Sequence, residues 1–206
     1  MTFPGGHPLE PFEAVFRTSN ARRDNFLARL FGLFSEEVVR IWAACPEATY
    51  RDLGRPTLRS PASTRGYTLD FTLEARETGR IYVAEQKCEL AYENYRYLRL
   101  EGPDQVAHHE GGQAFQRFLE AARTPSSVAV RVHGREHAVD GAILVWGAIT
   151  PQGRDAVMAQ YGVADVLALE NMLHDLSRWN VLGWADRVHE WQTWTGELFT
   201  YLVASE

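Results

Sequence analysis

At 206 residues the chain is long enough for one well-packed domain and too short for two comfortable ones. Its 45% hydrophobic and 23% charged residues are ordinary for a globular protein, and no apolar run approaches the roughly 18 residues that would span a bilayer. The formal net charge of −6 argues against general affinity for nucleic acid, which goes with a positive excess, while leaving room for a local basic patch.

Residues 1–20 contain Pro4, Gly5, Gly6, Pro8 and Pro11, a composition that predicts an N-terminal arm ahead of a single domain over 21–206. The start lacks the basic segment and continuous apolar core of a secretory signal, so the expected location is cytoplasmic. Ser19 or Asn20 is the candidate cap for a helix over 21–44. Along that helix Phe26, Leu27, Leu30, Phe31, Phe34, Val38, Ile41 and Trp42 recur at helical spacing. At about 100° per residue, Glu37 falls close to Phe26 around the helix and hence inside the apolar stripe, whereas Glu36 falls outside it. Pro46 ends the helix. The loop that follows carries Arg51, Arg55, Arg59 and Arg65, a candidate set for holding nucleic-acid phosphates, although a solvated surface has the same composition.

Residues 67–90 read as two strands joined by a tight turn. Tyr67, Leu69, Phe71 and Leu73 alternate with Thr68, Asp70, Thr72 and Glu74, the period of a half-buried strand. Glu77-Thr78-Gly79-Arg80 supplies the turn, with Gly79 free to take positive φ. In the second strand Glu85 and Lys87 are two residues apart and leave the same face as Ile81 and Val83. Charges on an otherwise apolar face are costly unless paired. Two carboxylates converging there would suit a hard divalent cation such as Mg²⁺, which takes oxygen ligands and keeps several waters. An adjacent ammonium could steady the attacking water and the charge developing on a phosphate. Lys87 is also the chain's only lysine: Lys plus Arg total 21, so the remaining 20 are arginines. That bias suggests a need for a compact ammonium at this position. The plain alternative is a surface hairpin in which an acid pairs with Lys87.

Asp70 followed, after fourteen residues, by Glu85-Gln86-Lys87 resembles the metal-binding signature of the PD-(D/E)xK nuclease superfamily. Leu69 stands where that family often has proline. The resemblance implies a restriction-endonuclease-like fold, a mixed α/β sheet flanked by helices. It further implies Mg²⁺ (with Mn²⁺ as a substitute) held by Asp70 and Glu85, a backbone-carbonyl ligand at Gln86, and Lys87 as the catalytic lysine. Such folds often bring a first-helix glutamate to the metal, for which Glu37 is the candidate. The implied activity is metal-dependent phosphodiester hydrolysis, with DNA as the substrate.

Further on, residues 91–100 suit either strand or helix. Residues 104–123 predict a helix interrupted at Gly111-Gly112, with Val106, Phe115, Phe118 and Leu119 buried. His108, His109 and Glu110 fall on it, and because adjacent histidines leave a helix in different directions, no shared metal is expected. Gln113 is followed four residues on by Arg117, not by the aromatic residue seen in some exonuclease branches. Strands are predicted over 127–132 and 138–150, separated by a turn containing His133 and His137. The run AILVWGAIT is apolar on both faces, as a covered central strand should be. Pro151 opens a helix that Gly162 closes, a strand follows over 163–169, and two further helices complete an α/β succession. Trp179, Trp184, Trp191 and Trp194 give the C-terminal region an aromatic face for core packing or a homodimer contact. Cys45 and Cys88 read as packed thiols. Two other readings stay open: a nuclease-like scaffold that binds or assembles without catalysis, and an unrelated α/β domain that binds a small molecule.

Overall fold

The computed structural model describes residues 11–59 and 65–204, so the first half of the expected arm and part of the arginine-bearing loop lie outside the described residues. The chain begins with α1 (Phe12–Phe16) and α2 (Ala21–Ala44), followed by β1 (Tyr50–Asp52), β2 (Pro56–Arg59), β3 (Tyr67–Thr68), β4 (Phe71–Ala75) and β5 (Ile81–Lys87). Next come β6 (Arg99–Leu100), α3 (Asp104–Ala107), α4 (Gln113–Arg123), β7 (Ala129–Val132), β8 (Arg135–His137), β9 (Gly141–Trp146) and β10 (Ala148–Ile149). The chain closes with α5 (Pro151–Tyr161), β11 (Asp165–Ala168), α6 (Leu169–Arg178) and α7 (Leu182–Val203).

The main sheet has the order β1-β4-β5-β9-β11. Its first three strands form an antiparallel meander, and β9 and β11 then add in parallel. A parallel neighbour requires a crossover, which α4 begins between β5 and β9 and α5 provides between β9 and β11. The result is a mixed α/β architecture with helices on both faces of the sheet. Strand β9 explains how the layers are held: Ile143 and Val145 join the core under α1, α2 and α6, whereas Ala142, Leu144 and Trp146 join the core under α4 and α5. Each fully buried side chain of this kind stabilises the fold by roughly 1.5–3 kcal/mol relative to exposure.

Local chemistry accounts for the element ends. Asn20 Oδ1 accepts from Arg23 N at 3.1 Å and starts α2. Thr150 Oγ1 accepts from Gly153 N at 3.0 Å, Pro151 opens α5, and Gly162 closes it at φ 75°. Gly79 takes φ 70° in the turn between β4 and β5.

Four expectations need correction, the first being the loop expected after Pro46, which contains β1 and β2. The segment expected as an arm contains α1, whose Phe12 and Phe16 are buried against Phe31. Phe12 N donates to Glu170 at 3.0 Å and Arg99 pairs with Glu13, which ties α1 to the body. The strand expected to run unbroken from Tyr67 divides at Asp70: β3 joins a second sheet, of order β3-β2-β7-β8, and β4 joins the main one. Leu69 and Phe71 consequently enter opposite cores. His137 lies on β8, paired with Val130, rather than in a turn. No helix among the described residues is long and apolar enough to cross a membrane.

Candidate active site

Period two along β5 sorts its side chains. Val83 belongs to the α4 face and Ala84 to the α2 face, so Glu85 and Lys87 follow Val83 while Gln86 follows Ala84. The contacts agree: Lys87 Nζ lies 5.7 Å from the centre of the Phe115 ring of α4, and Gln86 Nε2 donates to Ser35 Oγ of α2 at 2.5 Å. Asp70 reaches the same place from the other side. The β4–β5 ladder pairs Phe71 with Ala84, and the bend at Asp70 turns its carboxylate onto β5, where Oδ2 accepts from Gln86 N at 2.8 Å.

Three charged groups are thereby gathered. Glu85 is 7% exposed. Its Oε1 accepts from Lys87 Nζ at 2.7 Å, and its Oε2 is buried with no N–H or hydroxyl donor among the described residues. Burial, with the neighbouring Asp70 charge second, raises the Glu85 carboxyl above the ordinary range against the pull of Lys87, and a hydrogen bond shared with the Asp70 carboxyl adds to the rise. Asp70 is likewise raised, first by burial; the Gln86 N–H opposes the shift, the Glu36 charge adds to it, and Lys87 and Arg55 oppose it. Two adjoining acids, one buried and one half-buried, that resist ionisation together form a cation-seeking arrangement.

The helical glutamate whose charge bears on Asp70 is Glu36. Glu37 instead lies 3.6 Å from Arg40 and 3.9 Å from Arg187 of α7. The expectation failed because α2 has two apolar faces. Phe26, taken as the marker of the core stripe, is 49% exposed and packs on Phe199 of α7. The true core face is Phe31, Ser35, Val38, Val39 and Trp42, and Glu36 borders it more closely than Glu37 does. Arg40 pairs with Glu36 at 2.7 Å while its guanidinium lies over Phe71, the residue after Asp70.

Of the candidate phosphate-binding arginines, Arg55 lies 3.5 Å from Asp70 Oδ1 and borders the site. Arg51 is paired with Glu74 at 2.6 Å. Arg59 closes β2, and the Arg65 guanidinium lies 5.3 Å from the Tyr67 ring centre. The C-terminal tryptophans pack α7 onto α2, with Trp191 stacked on Phe34 at 4.4 Å and Trp184 edge-on to Trp191. Even so, Trp194, Leu198, Tyr201 and Leu202 of α7 stay exposed.

Beyond Lys87 the structure brings together His108 and His109, which were expected to diverge from one helix and share no metal, and adds Glu89, which the sequence reading did not name. Helix α3 stops at Ala107, so His108 and His109 lie in turns, and their ring centres are 3.6 Å apart. Both face Glu89: its Oε2 is 2.9 Å from His108 Nε2 and 3.8 Å from His109 Nε2. Burial chiefly, then the neighbouring His108 and Lys87 charges, lower His109 to about 4 despite Glu89. One sequence signal was available: residues 85, 87 and 89 continue the same period-two run.

No family model, curated protein or solved structure matches this chain.

Proposed function

We propose that the chain is a restriction-endonuclease-like enzyme that hydrolyses phosphodiester bonds of nucleic acid, with DNA as substrate, using Mg²⁺ held by Asp70 and Glu85. The observation that carries this reading is the buried Glu85 carboxyl set against Asp70, with the chain's only lysine anchored on its Oε1. The mixed sheet with helices on both faces supports it, being the architecture that the motif's resemblance implies.

The donor set fits the ion, being hard, anionic and all-oxygen. Asp70 and Glu85 are the ligands, the Gln86 carbonyl is a third candidate, and Glu36 adds negative charge from α2. A bound Mg²⁺ supplies an acidified water and charge neutralisation at a phosphate. Gln86 N–H and Arg55 hold Asp70 in orientation. Lys87, with one of its three N–H groups on Glu85, presents the others to the attacking water or to a phosphate oxygen as charge develops. Arg55, half exposed at the edge, is positioned to meet the phosphate backbone.

The test is cleavage of duplex DNA with Mg²⁺ or Mn²⁺ by the wild type, Lys87→Ala and Asp70→Ala. The reading predicts cleavage by the wild type alone, and equal activity in all three would reject it. The net charge of −6 and the exposed apolar side of α7 favour a second reading, a catalytically inactive scaffold that binds or assembles, with a second copy on α7 forming a homodimer. Calorimetry with millimolar Mg²⁺ and Mn²⁺ separates the two. A protein that takes up neither ion fits the scaffold, and sedimentation then reports whether Leu198→Glu dissociates a dimer.

A further inference from the structure

We infer that Glu89, His108 and His109 form a second metal site, which takes one borderline transition cation such as Zn²⁺ through two imidazole nitrogens and one carboxylate oxygen. The site does not depend on the proposed nuclease activity.

Geometry is the first support. One ligand atom from each residue lies within 4.8 Å of the others, with the two Nε2 atoms and Glu89 Oε2 facing one another. Adjacent side chains of a regular α-helix diverge by about 100°; past Ala107 the chain runs in three-residue turns, His109 N donating to Val106 O and Glu110 N to Ala107 O, and the two rings meet with centres 3.6 Å apart.

The second support is an unpaired nitrogen. The His109 side chain is 10% exposed, and its Nε2 is buried with no hydrogen-bond partner among the described residues. Glu89 Oε2 at 3.8 Å is beyond hydrogen-bond reach. A buried polar atom without a partner is costly, and a metal bond would relieve that cost. An ion pair between Glu89 and a protonated His108 would not, since it leaves His109 as it is.

The third support is the setting of His108. Its Nδ1 lies 3.0 Å from the Gln105 carbonyl, an arrangement that directs the Nε2 lone pair inward and is typical of metal-bound imidazole. Gln105 is itself fixed, its side chain bonded to Glu101 N at 2.6 Å, Gly102 N at 3.1 Å and Arg99 O at 2.8 Å. The Tyr97 ring, with its centre 4.4 Å from that of His108, braces the imidazole.

Two nitrogens and one oxygen suit Zn²⁺, whereas Mg²⁺ prefers the all-oxygen acid pair. Three protein ligands also leave a coordination position for water or a small anionic ligand, as in sites that do chemistry.

The experiment is Zn²⁺ titration of chelator-stripped full chain by calorimetry, with Co²⁺ and its visible absorption as a spectroscopic probe. Wild type, Glu89→Gln, His109→Ala and Asp70→Asn are compared. The expected result is one Zn²⁺ per chain, an affinity at least about tenfold weaker in Glu89→Gln and His109→Ala, and no change in Asp70→Asn. Should His109→Ala lose its circular dichroism, Glu89→Gln decides, because Glu89 is 45% exposed and its amide isostere leaves the packing alone. Absence of stoichiometric uptake by the wild type would overturn the site, as would uptake equal in wild type and Glu89→Gln. A loss confined to Asp70→Asn would move the ion to the acid pair.

Discussion

The acid pair and the histidine cluster lie on either side of Lys87 and are assembled in different ways. Glu85 lies on β5 and Asp70 at the bend that leads into its ladder partner β4, so their meeting follows from the β4–β5 register and from one backbone bond, Gln86 N to Asp70. Glu89, His108 and His109 come from a strand exit and a helix exit, and nothing periodic relates them. Ladder geometry concentrates like charge and oxygen ligands at a fixed spacing; chain breaks let dissimilar ligands converge. The difference predicts that each site can be altered without the other, although Lys87 bonds Glu85 and its charge also bears on His109.

The largest effect should come from Lys87. Lys87→Ala is expected to lower DNA cleavage by roughly 10²-fold or more, the usual loss on removing a group that stabilises transition-state charge, and Lys87→Arg should recover little of it, since a planar guanidinium does not reproduce a compact ammonium. Zn²⁺ affinity should survive both changes. If Zn²⁺ uptake collapsed with cleavage, the two sites would be one.

Next in size is Gln105→Leu, which keeps the bulk of this buried side chain but removes the bonds that set the backbone presented to His108. It should weaken Zn²⁺ binding by about tenfold and leave Mg²⁺ binding alone, as read by calorimetry with each ion.

Asp70→Asn should stabilise the metal-free protein. Asp70 and Glu85 both have raised folded-state carboxyls, so the folded chain binds more protons than the unfolded one above the ordinary carboxylate range. Stability contributed by these groups is therefore complete at low pH and falls as pH rises through the raised values. Removing one charge of the pair should lift the melting temperature by about 2–4 °C near neutral pH, equivalent to roughly 1 kcal/mol, and by less near pH 4. Melts in chelator at both pH values test this, and a variant that melts lower at neutral pH would show that Asp70 is held by its partners more than it is strained by Glu85. Mg²⁺ should raise the melting temperature of the wild type only.

The smallest expected effect separates the two glutamates of α2. Glu36→Gln should weaken Mg²⁺ binding about threefold, the scale of a long-range charge term well under 1 kcal/mol in partial solvent, whereas Glu37→Gln should leave it unchanged. The opposite order would restore Glu37 to the site.

Much of the architecture was legible because it depends on neighbours in the chain. The bounds of α2, Pro151 and Gly162 at the ends of α5, the glycine turn before β5 and the two-faced apolar run of β9 are all local signals. The proximity of Asp70, Glu85 and Lys87 could be anticipated for a related reason, since a hairpin converts spacing into contact. Glu36 was missed because one apolar stripe was assumed where α2 has two, the second covered by α7. The histidine cluster was missed because a continuous helix through 108–110 was assumed where the chain turns.

By itself, the sequence determined α2, α5, the β4–β5 hairpin and the two-faced run of β9, and which face of β5 would carry charge, since these follow from the side-chain period and end signals of a short stretch. Only the tertiary structure decided which glutamate of α2 borders the acids, how the bend at Asp70 divides Leu69 from Phe71, and that Glu89 and two histidines share one space. Those outcomes depend on which surfaces cover which, and on where backbone regularity ends, and neither is encoded by the spacing of residues along the chain.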